Sequence, residues 1–397
     1  MPKYYEPFLD FSVPERQNIM GVILSLRDPV DGEILRYAVE EMRSRFPYFY
    51  IRAMSKGNDL ITVPNDLPMT VRNTWEPIRL HSEASNYHLA AWKYENHRLA
   101  FEIHHALTDG SGLLPYIKST MFLYLSKVTG QTFDPTGFRL PGDVIPDSET
   151  GNPFSDPDID NTKAPLYQKR QIPDFFRLID TADTDKTVFY VKLSEAQIMR
   201  YCRDYDGSPG VIMSVLLAKA ARRWNPGCEK TITVSVCIDH KAMLGNLNNY
   251  HMSVGEAILD FPMKRDMEDF TKTCTIARGQ LMLQAQPENS LWEIKQMKQM
   301  PPSPSPDIAH ASICVSYVRS RSFGPLDPWI EELYVVTSLA KITDILCEIT
   351  CINHHFFLAL MQPFPSEKYF MCFLNELDTA GISYEVLGRE PLRMCGI

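Results

Sequence analysis

Two adjacent histidines, an aspartate and a glycine form the segment of this sequence with the clearest chemical potential: His104, His105, Asp109 and Gly110, within His-His-Ala-Leu-Thr-Asp-Gly. Imidazole is the side chain best suited to transferring protons near neutral pH. Neighbouring side chains on a regular strand point to opposite faces, so one ring can face a cleft while the other is held inside the protein. The pattern predicts acid–base chemistry. A metal site of His104, His105 and Asp109 is the weaker alternative, because no third spaced ligand follows and the nine cysteines contain no Cys-x-x-Cys pair.

A strand and a helix must position this segment. The apolar run 99–103 precedes it and predicts a buried strand. Residues 111–128 follow it with apolar side chains at helical spacing, and Gly130 is a suitable residue to end that helix. The chemically active residues are therefore expected on a turn between a strand and a helix.

In that context, the segment resembles the His-His-x-x-x-Asp-Gly signature of the acyltransferases related to chloramphenicol acetyltransferase. That group includes nonribosomal peptide condensation domains, alcohol O-acetyltransferases and the plant BAHD enzymes. All four fixed residues are present, whereas no Asp-Phe-Gly-Trp-Gly segment is found, which disfavours the plant branch. The resemblance implies a stand-alone member similar to the alcohol O-acetyltransferases, since the sequence contains no adenylation or carrier segment.

The resemblance also implies roles for the motif residues. His105 would be the general base that removes a proton from the attacking hydroxyl or amine, and His104 would support the turn. Asp109 would form a salt bridge that holds the loop. Gly110 would leave space for a pantetheine arm or permit the backbone angles of the loop. No permanent cofactor and no metal are implied, and acyl-CoA or acyl-phosphopantetheine would be the donor substrate.

Two further segments resemble parts of the same family. Asp239-His240-Lys241 is similar to an Asp-x-Arg segment whose basic residue pairs with the motif aspartate, although here the basic residue is lysine. The alternative is a solvated charge at the end of a strand. Ser316 lies on a predicted strand that lines the central channel of related proteins, where it would offer a hydroxyl to the developing oxyanion. The alternative for Ser316 is an ordinary strand residue.

The order of predicted elements gives the fold class. Predicted antiparallel hairpins mix with helices, which indicates an α+β fold. With 397 residues the chain is long enough for two lobes. The resemblance implies two lobes, each a mostly antiparallel mixed sheet with helices. We assign 1–140 to a first lobe carrying the motif, 141–186 to a long proline-rich crossing linker, and 187–397 to a second lobe. Further predictions are strands over 19–26, 48–53 and 333–338, a helix capped by Asp31, and a helix over 266–284.

Composition limits the possible partners and location. Hydrophobic residues make up 44% and charged residues 22% of the sequence, which is typical of a globular protein. The net charge of −9 argues against a nucleic-acid-binding protein. An odd number of cysteines without paired spacing favours free thiols and a cytoplasmic location. The N-terminus lacks the apolar core of a signal peptide, and no apolar run is long enough to span a membrane.

The sequence thus predicts a monomeric acyltransferase that moves an acyl group from a thioester, preferably acyl-CoA, to a hydroxyl or amine of a small-molecule acceptor. An acyl-carrier protein is a possible partner. Two alternatives stay open. One is a catalytically weak or inactive relative that binds a carrier protein or an acyl-thioester, and the other is a stand-alone enzyme of the peptide condensation type.

Overall fold

The computed structural model of the protein describes residues 18–56, 59–167, 172–179, 185–299, 310–318, 322–338 and 343–394. In chain order, its strands are β1 (Ile19–Leu26), β2 (Ile51–Lys56), β3 (Asp59–Pro64), β4 (Val71–Asn73), β5 (Ala90–Glu95), β6 (Arg98–His104), β7 (Thr187–Ser194), β8 (Ile232–Asp239), β9 (Val254–Phe261), β10 (Ala311–Tyr317), β11 (Ile330–Thr337), β12 (Thr343–Ile352), β13 (His355–Gln362) and β14 (Tyr384–Pro391). The α-helices are α1 (Gly32–Glu41), α2 (Gly110–Thr129), α3 (Asp147–Thr150), α4 (Pro157–Asn161), α5 (Glu195–Asp204), α6 (Pro209–Trp224), α7 (Phe270–Gln284), α8 (Pro287–Gln299) and α9 (Lys368–Thr379).

Two large mixed sheets organise these elements. The five-stranded sheet has the order β11-β1-β6-β5-β4, and only its β4–β5 pair is parallel. The seven-stranded sheet has the order β14-β7-β13-β12-β10-β8-β9, with β10 parallel to both of its neighbours and the other pairs antiparallel. Strands β2 and β3 form a separate hairpin. The predicted α+β class with two mostly antiparallel mixed sheets is confirmed.

One strand from the second half of the chain completes the first sheet. Strand β11 pairs with β1 along its length, with Val335 opposite Val22, although β11 follows the seven-stranded sheet's strands β7 to β10 in the chain. The sequence-based division into 1–140, 141–186 and 187–397 contains no such exchange, and its boundaries stay a prediction. The strand expected over 333–338 is β11, which begins earlier, at Ile330.

The strand and the helix predicted on either side of the motif are both confirmed. Strand β6 lies between β1 and β5, where both of its faces are covered, and it ends at His104. Helix α2 begins after Asp109, whose side chain caps it, and it ends at Gly130 in the left-handed conformation (φ +68°). Strand β1 and the Asp31 cap of α1 are also as expected.

Other sequence-based boundaries are wrong for identifiable reasons. Pro47 begins a 3₁₀ turn over Pro47–Phe49, so the strand expected over 48–53 starts only at Ile51. The helix expected over 266–284 starts at Phe270, because Asp269 caps it by accepting the Lys272 amide. Strand β14 was not predicted, because it is a half-exposed edge strand rich in polar residues. Strand β9 was not predicted either.

Within the segment predicted to be a linker, Glu149 on α3 is a buried carboxylate that contacts residues from both halves of the chain. Arg45 donates two hydrogen bonds to it, at 2.6 and 2.8 Å, and Arg139 lies 3.0 Å from it. The Tyr48 hydroxyl also donates to the Glu149 carboxylate, and the Glu149 carbonyl accepts the Tyr250 amide at 3.1 Å. Glu149 is 1% exposed, so these contacts replace the water that its charge requires.

We therefore expect Glu149→Gln to lower the free energy of unfolding by about 3–5 kcal/mol, because it leaves the buried Arg45 charge without its bidentate partner. The matched control is Asp147→Asn, an exposed carboxylate on the same short helix, which should change stability by less than about 0.5 kcal/mol. Urea unfolding followed by tryptophan fluorescence measures both. Equal midpoints for Glu149→Gln and the wild type would contradict the assigned role of Glu149.

Candidate active site

The motif turn is anchored by backbone hydrogen bonds at both ends. The His104 amide donates to the Leu89 carbonyl at 2.9 Å, and the His105 amide donates to the Asn18 carbonyl at 2.7 Å. The chain then turns, with the Leu107 amide donating to the His104 carbonyl at 3.0 Å. These hydrogen bonds fix the backbone of His104 and His105 at the end of β6, just before α2 begins.

His105 is half-buried, and its ring is oriented by one hydrogen bond. Its Nδ1 lies 2.9 Å from the Thr108 carbonyl oxygen, which can only accept, so Nδ1 carries the proton in this contact. In the neutral ring, Nε2 then keeps its lone pair. A hydrogen bond at one ring nitrogen fixes the tautomer of a histidine and so decides which nitrogen can act as a base. The geometry supplies an oriented proton acceptor at Nε2.

His104 has a different environment, because it is fully buried. Its Nδ1 accepts the Ala106 amide at 3.2 Å, so the proton of the neutral ring sits on Nε2. Burial, followed by the nearby His105 and His81, lowers the pKa of His104 to about 3. The ring therefore stays neutral at physiological pH, and its role in supporting the turn stays a prediction.

Asp109 is buried at the N-terminus of α2, where it accepts several hydrogen bonds. Its Oδ1 accepts from the Gly112 amide and the Ser111 hydroxyl, each at 2.8 Å, and its Oδ2 accepts from the Ser253 amide at 2.9 Å. Lys241 Nζ forms an ion pair with both oxygens. Burial alone would raise the pKa of Asp109, but the charge and hydrogen bonds of Lys241, with the two amides, hold it below its ordinary value.

The structure therefore brings Asp109 and Lys241 together. The Lys241 side chain is 1% exposed and also donates to the Ser111 hydroxyl at 2.9 Å, so it is not a solvated charge at a strand end. Asp239 does not contact the motif; it is exposed, and its carboxylate accepts the Lys241 amide at 2.9 Å. Asp239 thus shapes the turn from which Lys241 reaches the motif.

Sequence reasoning missed the loop that joins the two lobes over the motif. The Thr108 hydroxyl donates to the Tyr250 carbonyl at 2.6 Å, and the Tyr250 ring stacks on Tyr48 with centroids 4.0 Å apart. Gly112 makes this approach possible, because a Cβ there would overlap the Tyr250 carbonyl and lie 2.6 Å from the Thr108 hydroxyl. The asparagine-rich composition of 245–250 was the only sequence signal for this loop.

We expect Gly112→Ala to destabilise the protein by about 1–3 kcal/mol, because the added methyl meets backbone that cannot move without separating the loop from the motif. The matched control is Gly279→Ala in α7, where nothing lies within 4 Å of an added Cβ. That change should instead stabilise the helix by about 0.4–1 kcal/mol. Thermal unfolding of the two variants beside the wild type measures the difference. A stable Gly112→Ala protein would contradict the close approach.

Gly110 packs against Val318, the residue that follows β10, and Ser316 lies on β10 itself. A Cβ on Gly110 would lie 2.7 Å from a methyl of Val318, so Gly110 permits close packing of the second sheet against the start of α2. Its φ is not positive, so the alternative that Gly110 permits special backbone angles is wrong. Ser316 is half-buried two residues before Val318, and it lies opposite Glu348 on the neighbouring strand. Contact of Gly110 or Ser316 with a substrate stays a prediction.

The described residues contain neither a metal-binding cluster nor a membrane-spanning helix. Within those residues, no three His, Cys, Asp or Glu side chains are grouped so that they could hold a metal ion. In the same part of the chain, no helix combines the length and apolarity needed to cross a bilayer.

No protein-family model and no curated protein matches this chain, but solved structures do. It is similar to polyketide synthase associated protein 5 from Mycobacterium tuberculosis, with a TM-score of 0.65, 14% identity, and coverage of 95% of this chain and 97% of that one. It is also similar to TRI101 of F. sporotrichioides, solved with coenzyme A and T-2, with a TM-score of 0.61, 10% identity, and coverage of 98% and 100%. The first condensation domain of the CDA synthetase gives a TM-score of 0.59 at 13% identity, with coverage of 98% and 99%.

These similarities extend over nearly the whole of each chain. The protein therefore has the two-lobed fold shared by condensation domains and acyltransferases related to chloramphenicol acetyltransferase. At 10–14% identity the similarity shows the fold and does not separate the subgroups.

Proposed function

We propose that this protein is an acyltransferase that moves an acyl group from an acyl-thioester to a hydroxyl or amine, with His105 as the general base. One observation carries the proposal: the Nδ1 contact to the Thr108 carbonyl leaves the Nε2 lone pair of a half-buried ring available. The shared fold supports it, because TRI101 was solved with coenzyme A, and TRI3 of Fusarium sporotrichioides, another solved structure similar to this chain, is a trichothecene 15-O-acetyltransferase.

The reaction needs only one proton acceptor. The acceptor oxygen or nitrogen attacks the thioester carbonyl while His105 Nε2 takes its proton, and a tetrahedral oxyanion forms. The carbon–sulfur bond then breaks, and the imidazolium returns the proton to the leaving thiolate, so the products are an acylated acceptor and a free thiol. General base catalysis by such a ring contributes about 10²–10⁴-fold. The thioester already has a good leaving group, so the scheme contains no covalent acyl-enzyme.

The remaining motif residues position this base. The Asp109–Lys241 ion pair joins the start of α2 to the second lobe, and the buried His104 supports the turn. In this proposal Ser316 would offer its hydroxyl to the oxyanion, and Gly110 leaves room for Val318, the residue after β10, beside the start of α2. Acyl-CoA is the preferred donor, acyl-phosphopantetheine on a carrier protein the second, and a small molecule the acceptor.

A panel experiment tests this function. Purified protein is mixed with acyl-CoA donors of two to twelve carbons, or with one acyl-carrier protein, and with a set of alcohols and amines. Free thiol is measured with a chromogenic reagent and acylated product by mass spectrometry. Product together with an equal amount of thiol supports the proposal. Saturable binding of acyl-CoA or carrier without turnover would contradict it and indicate a binding protein.

A further inference from the structure

A line of polar side chains crosses the second sheet on one face. Glu256 on β9 is paired with Cys237 on β8, whose sulfur lies 3.9 Å from that of Cys314 on β10. Ser316, two residues along β10, is paired with Glu348 on β12. Adjacent strands are about 4.8 Å apart, so the line spans roughly 14 Å from Glu256 to Glu348.

This face is directed towards the first lobe. On β12, the odd-numbered residues Ile345, Cys347, Ile349 and Cys351 pack in the core with the helices of the second lobe. Leu346 and Ile352 pack instead in the core shared with the first lobe, so alternation places Glu348 on that side. Thr350, the next residue on the same face, donates a hydrogen bond from its hydroxyl to the Leu333 carbonyl of β11.

The two ends of the line differ in exposure. At one end the Glu256 side chain is 28% exposed and hydrogen-bonds Ser235 at 2.6 Å and His310, itself 37% exposed, at 2.8 Å. At the other end Glu348 is only 6% exposed. The line therefore runs from the solvent-accessible edge of the sheet to a buried carboxyl between the lobes.

Glu348 lacks a partner that would balance its burial. Its Oε2 is buried without a hydrogen-bond partner, and no described residue forms an ion pair with it. Burial raises the pKa of Glu348 to about 7, and the neighbouring Ser316 hydroxyl offsets only part of that effect. A buried carboxyl without a cation is costly, so an uncompensated one in a protein interior points to a ligand that completes it.

The buried end of the line adjoins the motif. Val318 lies two residues beyond Ser316, on the same side of the chain and about 7 Å further along. Its methyl would be 2.7 Å from a Cβ on Gly110, at the first position of α2. A molecule that lies along the line towards Glu348 therefore approaches the turn that bears His105.

We propose, on the basis of the acyltransferase function above, that Glu348 recognises the acyl acceptor by binding a protonated amino group on it. The line includes two carboxyl groups and, among its described residues, no lysine or arginine, so it favours a cationic group over an anionic one. The acceptor enters from the Glu256 edge, its amino group pairs with Glu348, and a separate hydroxyl is acylated. An amino alcohol is the simplest molecule of this class.

Matched acceptor pairs test the assignment. The probes are α,ω-amino alcohols of three to eight carbons and the diols of the same length, with thiol release and ester formation measured for each. The variant is Glu348→Gln, which keeps the shape and removes the charge. The control is Glu385→Gln, the same change at an exposed position on β14 of the same sheet.

We expect the wild type to prefer at least one amino alcohol over its diol in kcat/KM. Glu348→Gln should lower kcat/KM for that amino alcohol by about 10- to 100-fold, since a hydrogen bond to a charged group is lost. The value for the diol and the KM for acyl-CoA should change less than about threefold, which a purely structural role of Glu348 would not produce. No preference for any amino alcohol, or an equal loss with both acceptors, would overturn the assignment.

A binding measurement separates this assignment from the acyltransferase proposal. If the wild type acylates nothing, the acyltransferase function fails, and calorimetric titration with the same amino alcohols still tests Glu348. Binding by the wild type that Glu348→Gln loses and Glu385→Gln keeps supports the amino-group subsite. Absence of binding, or identical binding by all three proteins, overturns it.

Discussion

The His105→Ala variant is expected to keep its fold and lose about 10²–10⁴-fold in kcat, which is the contribution of a positioned general base. At about 1.36 kcal/mol per tenfold change in rate, the loss corresponds to roughly 3–5 kcal/mol of activation free energy. The physical reason is the tautomer. Nδ1 is engaged by the Thr108 carbonyl, so Nε2 is the nitrogen that remains to accept a proton, and alanine supplies no substitute.

Steady-state rates with a saturating acyl-CoA donor measure this loss, and thermal unfolding verifies the fold. The matched control is His97→Ala, an exposed histidine in the turn at the other end of β6, which should leave the rate unchanged. His104→Ala should lower the unfolding temperature more than the rate, because that ring is buried and neutral. A folded His105→Ala protein with wild-type kcat would exclude the base assignment.

The second large effect is expected when the Asp109–Lys241 ion pair, which joins the lobes, is broken. Lys241→Met removes the buried cation and leaves the Asp109 carboxylate with only hydroxyl and amide donors. Breaking a buried pair in this way costs about 3–5 kcal/mol of stability, and the loosened turn should also lower the rate. The matched control is Arg393→Met, whose pair with Glu76 is 61% and 73% exposed and should contribute about 0–1 kcal/mol.

A double-mutant cycle with Asp109→Asn and Lys241→Met isolates the pair. We expect a coupling free energy of at least about 1 kcal/mol, with the double mutant losing little beyond either single change. Because the pKa of Asp109 is lowered on folding, its stabilisation is fully present above the unfolded value of about 3.9 and is lost as pH falls through the folded value. The stability difference between the wild type and Asp109→Asn should therefore narrow below about pH 4. Coupling indistinguishable from zero would mean that backbone amides alone hold Asp109.

The local context of the motif could be predicted from the sequence because it depends on short-range patterns. An apolar run before His104 and helical spacing after Asp109 are sufficient to predict β6 and α2, and Gly130 marks the end of that helix. The fold class followed from predicted hairpins mixed with helices. These features are encoded within about twenty residues of chain, where periodicity and capping preferences are informative.

The contacts that complete the site could not be predicted, since they join residues far apart in the chain. The burial of Lys241 depends on its approach to Asp109, 132 positions away, and lysine at the end of a strand is exposed in most settings. The need for glycine at 112 comes from the Tyr250 carbonyl, and β11 enters the first sheet from the second half of the chain. In the sequence, Glu348 is one polar residue in a predicted strand, and only the structure shows that its Oε2 is buried without a hydrogen-bond partner.

The central claim is direct acyl transfer from a thioester with His105 as the base, and the most direct test is the acceptor dependence of thiol release. Wild type and His105→Ala are compared at equal occupancy by the same acyl-CoA, and thiol and acylated acceptor are measured in one reaction. We predict one thiol per acylated acceptor, little release without acceptor, and a rate lower by about 10²–10⁴-fold in His105→Ala. Thiol release that is independent of acceptor, or equal rates for the two proteins, would contradict the account.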